Sequence, residues 1–143
     1  MQPKTVAFVC LHGSAKSLIA AEHLNKLAQA RGAALAATTS GPEPDAEVPP
    51  HVIEGLLKRG VDASHRVPER VSAEALAQAT HIVSFGCDLK RLGLVGEERL
   101  VEQRDDCPAV IDDFDIAYAS ITKGVEQLFE RLNAKSEAGA PAR

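Results

Sequence analysis

Short apolar runs alternate with amphipathic segments of helical period along most of this chain. The first run, residues 6–9, holds only Val, Ala and Phe, which is typical of a strand buried on both faces of a parallel sheet. Residues 15–31 then repeat leucine, isoleucine and alanine three and four positions apart and are followed by Gly32, as at the end of a helix. The pattern predicts strands at 6–9, 33–40, 81–86 and 99–103, and helices at 15–31, 50–60, 72–79 and 113–132.

This order of elements favours one α/β domain. Strands joined by helical crossovers form a parallel sheet with helices on both faces, so we expect a doubly wound four-stranded parallel sheet. The chain has 143 residues, about the length of one domain. We assign that domain to residues 1–133, and we expect the tail at 134–143 to be disordered because it has no apolar periodicity. Sheets of this kind bind ligands at the carboxyl ends of their strands, where helix N-termini point.

Charge and hydropathy argue against several classes of partner. The formal net charge is −4 and the isoelectric point is about 5.7, which argues against a nucleic-acid binder. No apolar run approaches the roughly 20 residues that span a bilayer, and the N-terminal apolar stretch is too short for a secretory signal. We therefore expect a cytoplasmic protein with no membrane partner and no nucleic-acid partner.

The cysteines are interpreted as free thiols. Cys10, Cys87 and Cys107 are an odd number at wide spacings, which fits neither a disulfide framework nor a four-ligand zinc site. No metal and no cofactor is therefore predicted. In a reducing compartment a free thiol is either a small buried hydrophobe or a reactive group, and the first alternative is favoured for Cys107.

Cys10 stands where the first strand meets the first helix, and a short loop separates it from Lys16. Such a loop ahead of a helix can turn several backbone N–H groups inward, and the helix dipole reinforces the resulting anion site. A thiol at the floor of the site would lose its proton easily, as cysteines at helix N-termini do. The pattern therefore predicts a nucleophilic thiolate at Cys10 beside a bound oxyanion. The predicted phosphate-binding residues are Leu11, His12, Gly13, Ser14, Ala15 and Lys16.

Several side chains of this segment suit that chemistry. Gly13 can adopt a positive φ, Lys16 supplies a fixed positive charge, and Ser17 can give its hydroxyl to the thiolate. Lys16 and Ser17 are therefore predicted to act with Cys10 in catalysis. The alternative is an ordinary strand-to-helix turn in which the cysteine is only buried and the side chains of Lys16 and His12 are solvated. The spacing of the loop favours the anion site.

The segment from Cys10 to Ser17 resembles the C-x5-R-S loop of the low-molecular-weight protein tyrosine phosphatases and of the thioredoxin-coupled arsenate reductases that share their fold. The likeness continues through three further stretches and covers residues 5–132. The resemblance implies the fold of that family, and hydrolysis of a phosphate monoester through a cysteinyl-phosphate intermediate on Cys10. The further stretches are KSLIAAEHL, ATTSGPEPDAEVPPHVIEGLLKRGVDASHRVPERV and HIVSFGC.

Two departures from the family's loop concern the anion site. Lys16 stands where the family has arginine, and a lysine cannot hold a phosphate with two parallel hydrogen bonds. Losing one good donor to the transition state costs on the order of 10²–10³ in rate. Gly13 replaces the family's asparagine, and glycine accepts the same backbone conformation unaided. The departures leave another hypothesis open, a non-catalytic module that binds phosphate or a related oxyanion.

A third departure concerns the general acid, which in the family is an aspartate directly before a proline near the start of the closing helix. This chain has Cys-Pro at 107–108 instead, with Asp105 and Asp106 before it. We select Asp106 as the candidate acid. The alternative is that the acidic stretch is a solvated loop that includes a helix N-cap at Asp112 or Asp113.

Two substrates of the family can be compared with this sequence. Phosphotyrosine fits poorly, because tyrosine phosphatases of the family wall their pocket with aromatic rings and the loop at 40–50 contains none. Arsenate is the alternative, and Cys87 stands close to where the arsenate reductases carry the cysteine that attacks the first. A second thiol releases the adduct by forming a disulfide. The family's third cysteine is missing; Cys107 could take its place, and a single resolving thiol or a small-molecule thiol would also serve, with thioredoxin as a candidate reductant.

Overall fold

The computed structural model describes residues 4–138, and the predicted α/β fold is confirmed. The strands are β1 (Lys4–Cys10), β2 (Leu35–Ser40), β3 (His81–Phe85) and β4 (Glu102–Gln103). The helices are α1 (Lys16–Arg31), α2 (Pro50–Leu57), α3 (Ala73–Gln78) and α4 (Phe114–Ala138). All strand pairs are parallel, and the sheet has the order β2-β1-β3-β4.

Apolar cores cover both faces of the sheet. Along β1, Val6 and Phe8 pack in the larger core together with residues of α1 and α4, whereas Ala7 and Val9 pack in the smaller core beside Leu76 of α3. Successive side chains of a strand point to opposite faces, so a continuous apolar run serves both cores at once. This explains why the first strand shows no alternation of apolar and polar residues.

The central position of β1 places its carboxyl end beside those of its two neighbours. Val9 is level with Ser40 of β2, and Cys10 is level with Phe85 of β3. The loops that leave these three strands therefore start at one edge of the sheet. That edge is where parallel α/β sheets hold their ligands.

β4 is shorter than the predicted strand at 99–103. Only Glu102 and Gln103 pair with β3, whereas Leu100 is 88% exposed and the Arg99 guanidinium donates to the carbonyl of Ala79. Leu100 packs in neither core, so its burial does not stabilise pairing of this segment with β3. The predicted start of the strand at residue 99 is therefore wrong, and the strand begins at Glu102.

Helix boundaries follow their capping residues. Ser72 caps α3 as predicted, since its hydroxyl accepts from the N–H of Ala75 at 3.1 Å, and Asp113 caps α4 by accepting from the N–H of Ile116 at 3.1 Å. α4 continues beyond its predicted end at residue 132 and ends at Ala138. The predicted tail thus begins inside this helix, and residues 139–143 lie outside the described residues. No helix between residues 4 and 138 combines the length and the apolarity needed to cross a membrane.

Candidate active site

Three segments meet at the carboxyl edge of the sheet and enclose a cavity of about 300 Å³. The first follows β1, the second leads from β2 to α2, and the third leads from β4 to α4. Six of the residues on the cavity wall come from the segment 10–16, so the predicted binding loop forms much of the site. The cavity is lined by Cys10, Leu11, His12, Ser14, Ala15, Lys16, Asp45, Pro49, His51, Phe85, Ala109, Val110 and Ile111.

Carbonyl groups of the loop point toward the rest of the protein. The Leu11 carbonyl accepts from the N–H of Glu43 at 2.9 Å, and the Gly13 carbonyl accepts from the Thr39 hydroxyl at 3.4 Å. In a trans peptide the N–H that follows a carbonyl points the opposite way. The N–H groups of the next residues in the loop are therefore directed away from these partners.

Several N–H groups of the loop have no acceptor in the part of the chain that the structure describes. α1 begins at Lys16 without a side-chain cap, so the first N–H groups of the helix are also available. Unpaired N–H donors at a helix N-terminus attract an anion, because the helix dipole adds positive potential there. Within residues 4–138 no acceptor is found for the loop N–H groups of Leu11, His12, Ser14 and Ala15.

The Cys10 thiol has a hydroxyl beside it. Cys10 Sγ lies 2.9 Å from Ser17 Oγ, and Ser17 Oγ lies 2.7 Å from Thr39 Oγ1. Ser17 is completely buried and Cys10 is 7% exposed. Hydrogen bonds to an ionised group are stronger than neutral ones, so this hydroxyl can stabilise a thiolate at the floor of the cavity. The expected partnership of Cys10 with Ser17 is present as a contact.

Two glycines allow the loop to lie directly against the end of β2. Gly13 has φ of 61°, and a Cβ there would lie 2.8 Å from the carbonyl carbon of Ser40. A Cβ at Gly41 would lie 2.5 Å from the nitrogen of Gly13 and 2.6 Å from the oxygen of Leu11. Real side chains do not approach backbone atoms so closely. Both positions must be glycine for the loop to keep this shape.

Lys16 joins the binding loop to the segment before α4. Its Nζ donates to the carbonyl of Cys107 at 2.7 Å, and its side chain lines the cavity. An ammonium group has three protons to donate, so two remain for an oxyanion. The predicted positive charge is therefore at the site, but it is shared with the protein backbone.

Asp45 and His12 attach the loop after β2 to the binding loop. Asp45 Oδ2 accepts from the Ser14 hydroxyl at 2.6 Å, and the N–H of Asp45 donates to the His12 carbonyl at 3.3 Å. His12 Nδ1 lies 2.8 Å from the Glu43 carbonyl. Because a carbonyl can only accept, Nδ1 carries a proton and donates it there. Side chains and backbone thus hold the two loops together as one wall of the cavity.

Cys87 lies near Cys10 but outside the cavity wall. It is 6% exposed and packs in the smaller core, whereas Cys10 packs in the larger one. The Ser84 hydroxyl donates to the Cys87 carbonyl at 2.7 Å and holds the turn after β3. Burial raises the pKa of the Cys87 thiol, and the charge of nearby Cys10 raises it further. Since the thiolate is the nucleophile, Cys87 is a weak one in this conformation.

The candidate acid, Asp106, is not brought to the cavity. Asp106 is exposed and absent from the cavity wall, and its neighbour Asp105 accepts from the Gln103 amide at 3.0 Å. Val110, which is 5% exposed, faces the cavity instead. Burial of this apolar side chain decides which side of the segment turns inward and leaves Asp106 in solvent.

Seven residues of the wall lie outside the predicted binding segment: Asp45, Pro49, His51, Phe85, Ala109, Val110 and Ile111. Asp45 lies in the loop after β2, and His51 lies in the first turn of α2. Ile111 is 78% exposed and Leu11 is 44% exposed, and together they form an apolar rim. An isoleucine within a stretch that holds four aspartates is the sequence signal for Ile111, whereas nothing in the sequence marks His51.

Solved structures of other proteins have the same fold as this chain. YfkJ from Bacillus subtilis is 20% identical, with a TM-score of 0.80, and the match covers 94% of this chain and 98% of that one. The YwlE arginine phosphatase from Geobacillus stearothermophilus is 17% identical, with a TM-score of 0.77, and the match covers 99% of this chain and 100% of that one. A thioredoxin-dependent arsenate reductase from Corynebacterium glutamicum is 20% identical, with a TM-score of 0.72, and the match covers 94% of this chain and 64% of that one. At such identities the likeness shows the fold alone.

Sequence comparison gives the family. No curated protein sequence matches the chain. Residues 5–93, however, match the sequence profile described as low molecular weight phosphotyrosine protein phosphatase. The match covers the binding loop, the loop after β2 and the strand that leads to Cys87. The chain therefore belongs to the low molecular weight phosphotyrosine protein phosphatase family.

Proposed function

We propose that the protein is a phosphatase that hydrolyses a phosphate monoester through a cysteinyl-phosphate intermediate on Cys10. The observation that carries the proposal is the arrangement around the thiol: Cys10 Sγ lies 2.9 Å from the Ser17 hydroxyl, below a loop in which the N–H groups of Leu11, His12, Ser14 and Ala15 have no acceptor among the described residues. Membership of the phosphatase family supports the same chemistry.

The reaction would take place in two displacements at phosphorus. In the first, the loop N–H groups and Lys16 hold the phosphate oxygens while Cys10 Sγ forms a bond to phosphorus and the ester oxygen departs. In the second, a water oxygen bonds to phosphorus, the S–P bond breaks, and phosphate leaves. The Ser17 hydroxyl stabilises the thiolate both as attacking group and as leaving group. Donors aimed at the equatorial oxygens stabilise both transition states.

The residues that line the cavity favour a substrate whose leaving group has an apolar surface. Leu11 and Ile111 form the exposed rim, and Pro49 and Val110 lie beside them. Phe85 is buried and cannot extend a flat ring along a substrate at the rim. The wall therefore favours a phosphate monoester whose organic part is apolar but not a phosphotyrosine stacked between rings.

Chemical trapping of the intermediate tests this proposal. We expect rapid acid quenching during turnover of 4-nitrophenyl phosphate to leave one phosphoryl group on the peptide that contains Cys10, detected by mass spectrometry. The peptide with Cys107 is the internal control, because that thiol lies outside the cavity wall. Turnover without a phosphoryl group on Cys10 would mean that water attacks the substrate directly, and the covalent mechanism would be wrong.

Arsenate reduction is a second candidate function, favoured by the closeness of Cys87 to Cys10. The charge of one thiol influences the other, and both follow neighbouring strands at one sheet edge. In that reaction Cys87 would attack Cys10 Sγ of the arsenate adduct, the S–S bond would form as the S–As bond breaks, and arsenic would leave with the electron pair as arsenite; the disulfide needs Cα atoms roughly 4.4–6.8 Å apart. A thiol reductant such as thioredoxin would restore the pair. The three free thiols support a reducing compartment such as the cytoplasm for either function.

Replacing Cys87 separates the two functions. We expect Cys87→Ser to keep the wild-type rate with 4-nitrophenyl phosphate, because Cys87 does not line the cavity. If the protein reduces arsenate, the same variant loses that activity and no peptide linking Cys10 to Cys87 forms after arsenate treatment. Arsenate reduction that persists in Cys87→Ser would exclude Cys87 as the resolving thiol and leave Cys107 or a small thiol in that role.

A further inference from the structure

We propose that Asp45 donates the proton to the leaving-group oxygen, in place of an aspartate from the segment before α4. The inference rests on the proposed phosphatase function. Asp45 carries the only carboxyl group among the described residues that line the cavity. Asp45 and Cys10 line the same cavity. A general acid has to reach the departing oxygen directly or through one water.

The two oxygens of Asp45 have different surroundings. Oδ2 is held by the Ser14 hydroxyl at 2.6 Å, and Ser14 is 1% exposed, so the carboxyl is anchored to the binding loop itself. Oδ1 lies 3.7 Å from His12 Nδ1, and that nitrogen gives its proton to the Glu43 carbonyl. Oδ1 is thus the oxygen left to carry a transferable proton, and Ser14 acts as a positioning residue.

The other acidic groups near the site have other roles or other positions. Asp113 caps α4, Asp105 accepts from an amide, and Asp106 and Asp112 are exposed and off the cavity wall. His51 does line the cavity, but no hydrogen bond within residues 4–138 fixes its exposed ring. Asp45, in contrast, is held to the binding loop by two contacts, from its Oδ2 to Ser14 and from its backbone N–H to His12.

Asp45 would then both give the proton in the first displacement and take one back in the second. In the first displacement the S–P bond forms, the P–O bond breaks, and the Asp45 proton moves to the departing oxygen, which leaves as an alcohol. In the second, water bonds to phosphorus, its proton returns to the Asp45 carboxylate, and the S–P bond breaks. The mechanism therefore requires Asp45 to hold a proton when the ester binds and to be ionised after the alcohol has left.

Leaving groups of different basicity test the proposal. Phenyl phosphate releases a basic oxygen that needs a proton, whereas 2,4-dinitrophenyl phosphate releases an oxygen that does not. We expect Asp45→Asn to lower kcat for phenyl phosphate by on the order of 10²–10⁴, the usual contribution of a general acid, and to change kcat for the dinitrophenyl ester by less than about tenfold. Ser14→Ala should show the same selectivity with a smaller loss, because the acid is then present but unanchored.

The matched control is Glu47→Gln, an exposed carboxylate of the same loop that does not line the cavity; both rates should stay at the wild-type level. Equal losses on the two esters in Asp45→Asn would overturn the proposal, and so would a selective loss in Asp106→Asn or His51→Gln instead. Retained activity of Asp45→Asn on the dinitrophenyl ester shows that the variant folds. If the wild-type protein hydrolyses neither ester, the proposed function itself is wrong.

Discussion

Cys10→Ser should lower kcat for an aryl phosphate by on the order of 10⁶, the size of loss that follows removal of a covalent nucleophile in other hydrolases. A serine hydroxyl at this position does not ionise as a thiol does, and the contact to Ser17 at 2.9 Å cannot compensate for that. The measurement is steady-state turnover of 4-nitrophenyl phosphate. Cys107→Ser is the matched control and should behave as wild type, because its thiol is not on the cavity wall.

The same variant should keep its affinity for inorganic phosphate. The donors come from the backbone of the loop and from Lys16, and none of them is removed with the sulfur. Calorimetric titration with phosphate measures this directly. Phosphate binding by a wild-type protein that turns over no ester would instead identify a non-catalytic oxyanion-binding module, the hypothesis that the lysine at position 16 had left open.

Gly41→Ala should both destabilise the fold and disable the site. Its Cβ would lie 2.5 Å from the nitrogen of Gly13 and 2.6 Å from the oxygen of Leu11, and these are backbone atoms that cannot rotate away. We expect a loss of about 1–3 kcal/mol in the free energy of unfolding, as for overpacked interiors. Displacing the loop by about 1 Å should cost on the order of 10² in turnover. Urea denaturation and ester hydrolysis measure the two effects.

Gly96→Ala is the control for that experiment. A Cβ at Gly96 would meet the carboxylate of Glu98 at 2.9 Å, but this is the end of a flexible side chain, which can move. The variant should therefore unfold and react as wild type does. If Gly41→Ala is as stable and as active as Gly96→Ala, the loop does not depend on its close approach to β2.

The fold could be predicted from sequence because its signals are local. The apolar run at 6–9 and the helical period at 15–31 each report the environment of a few neighbouring residues, and the alternation of such segments predicts a parallel sheet with right-handed crossovers. The binding loop is equally local, since the cysteine, the glycine with positive φ and the lysine lie within seven positions. Such a loop brings its own backbone donors together whatever the distant parts of the chain do.

The rest of the site depends on contacts between distant residues. Asp45 meets Ser14 across 31 positions in sequence, and Lys16 meets Cys107 across 91. No pattern in a single sequence predicts that residues so far apart along the chain are in contact. Asp106 was selected by its closeness to a proline, yet burial of Val110 decides which side of that segment faces inward. The sequence therefore predicts the segment at 10–16 that lines the cavity, but not Asp45, which lies on the same wall.

The chain of contacts from Cys10 through Ser17 and Thr39 to Gly13 has a direction. Each hydroxyl owns one proton, so a thiol points its proton to Ser17, Ser17 points to Thr39, and Thr39 points to the Gly13 carbonyl. When Cys10 ionises, Ser17 must turn its proton to sulfur and Thr39 must turn to Ser17, which releases the carbonyl. That last link is 3.4 Å long against 2.7 Å between the hydroxyls, so it is the easiest to give up. Ionisation of the Cys10 thiol thereby changes the hydrogen bonding of a backbone carbonyl in the loop that surrounds the sulfur.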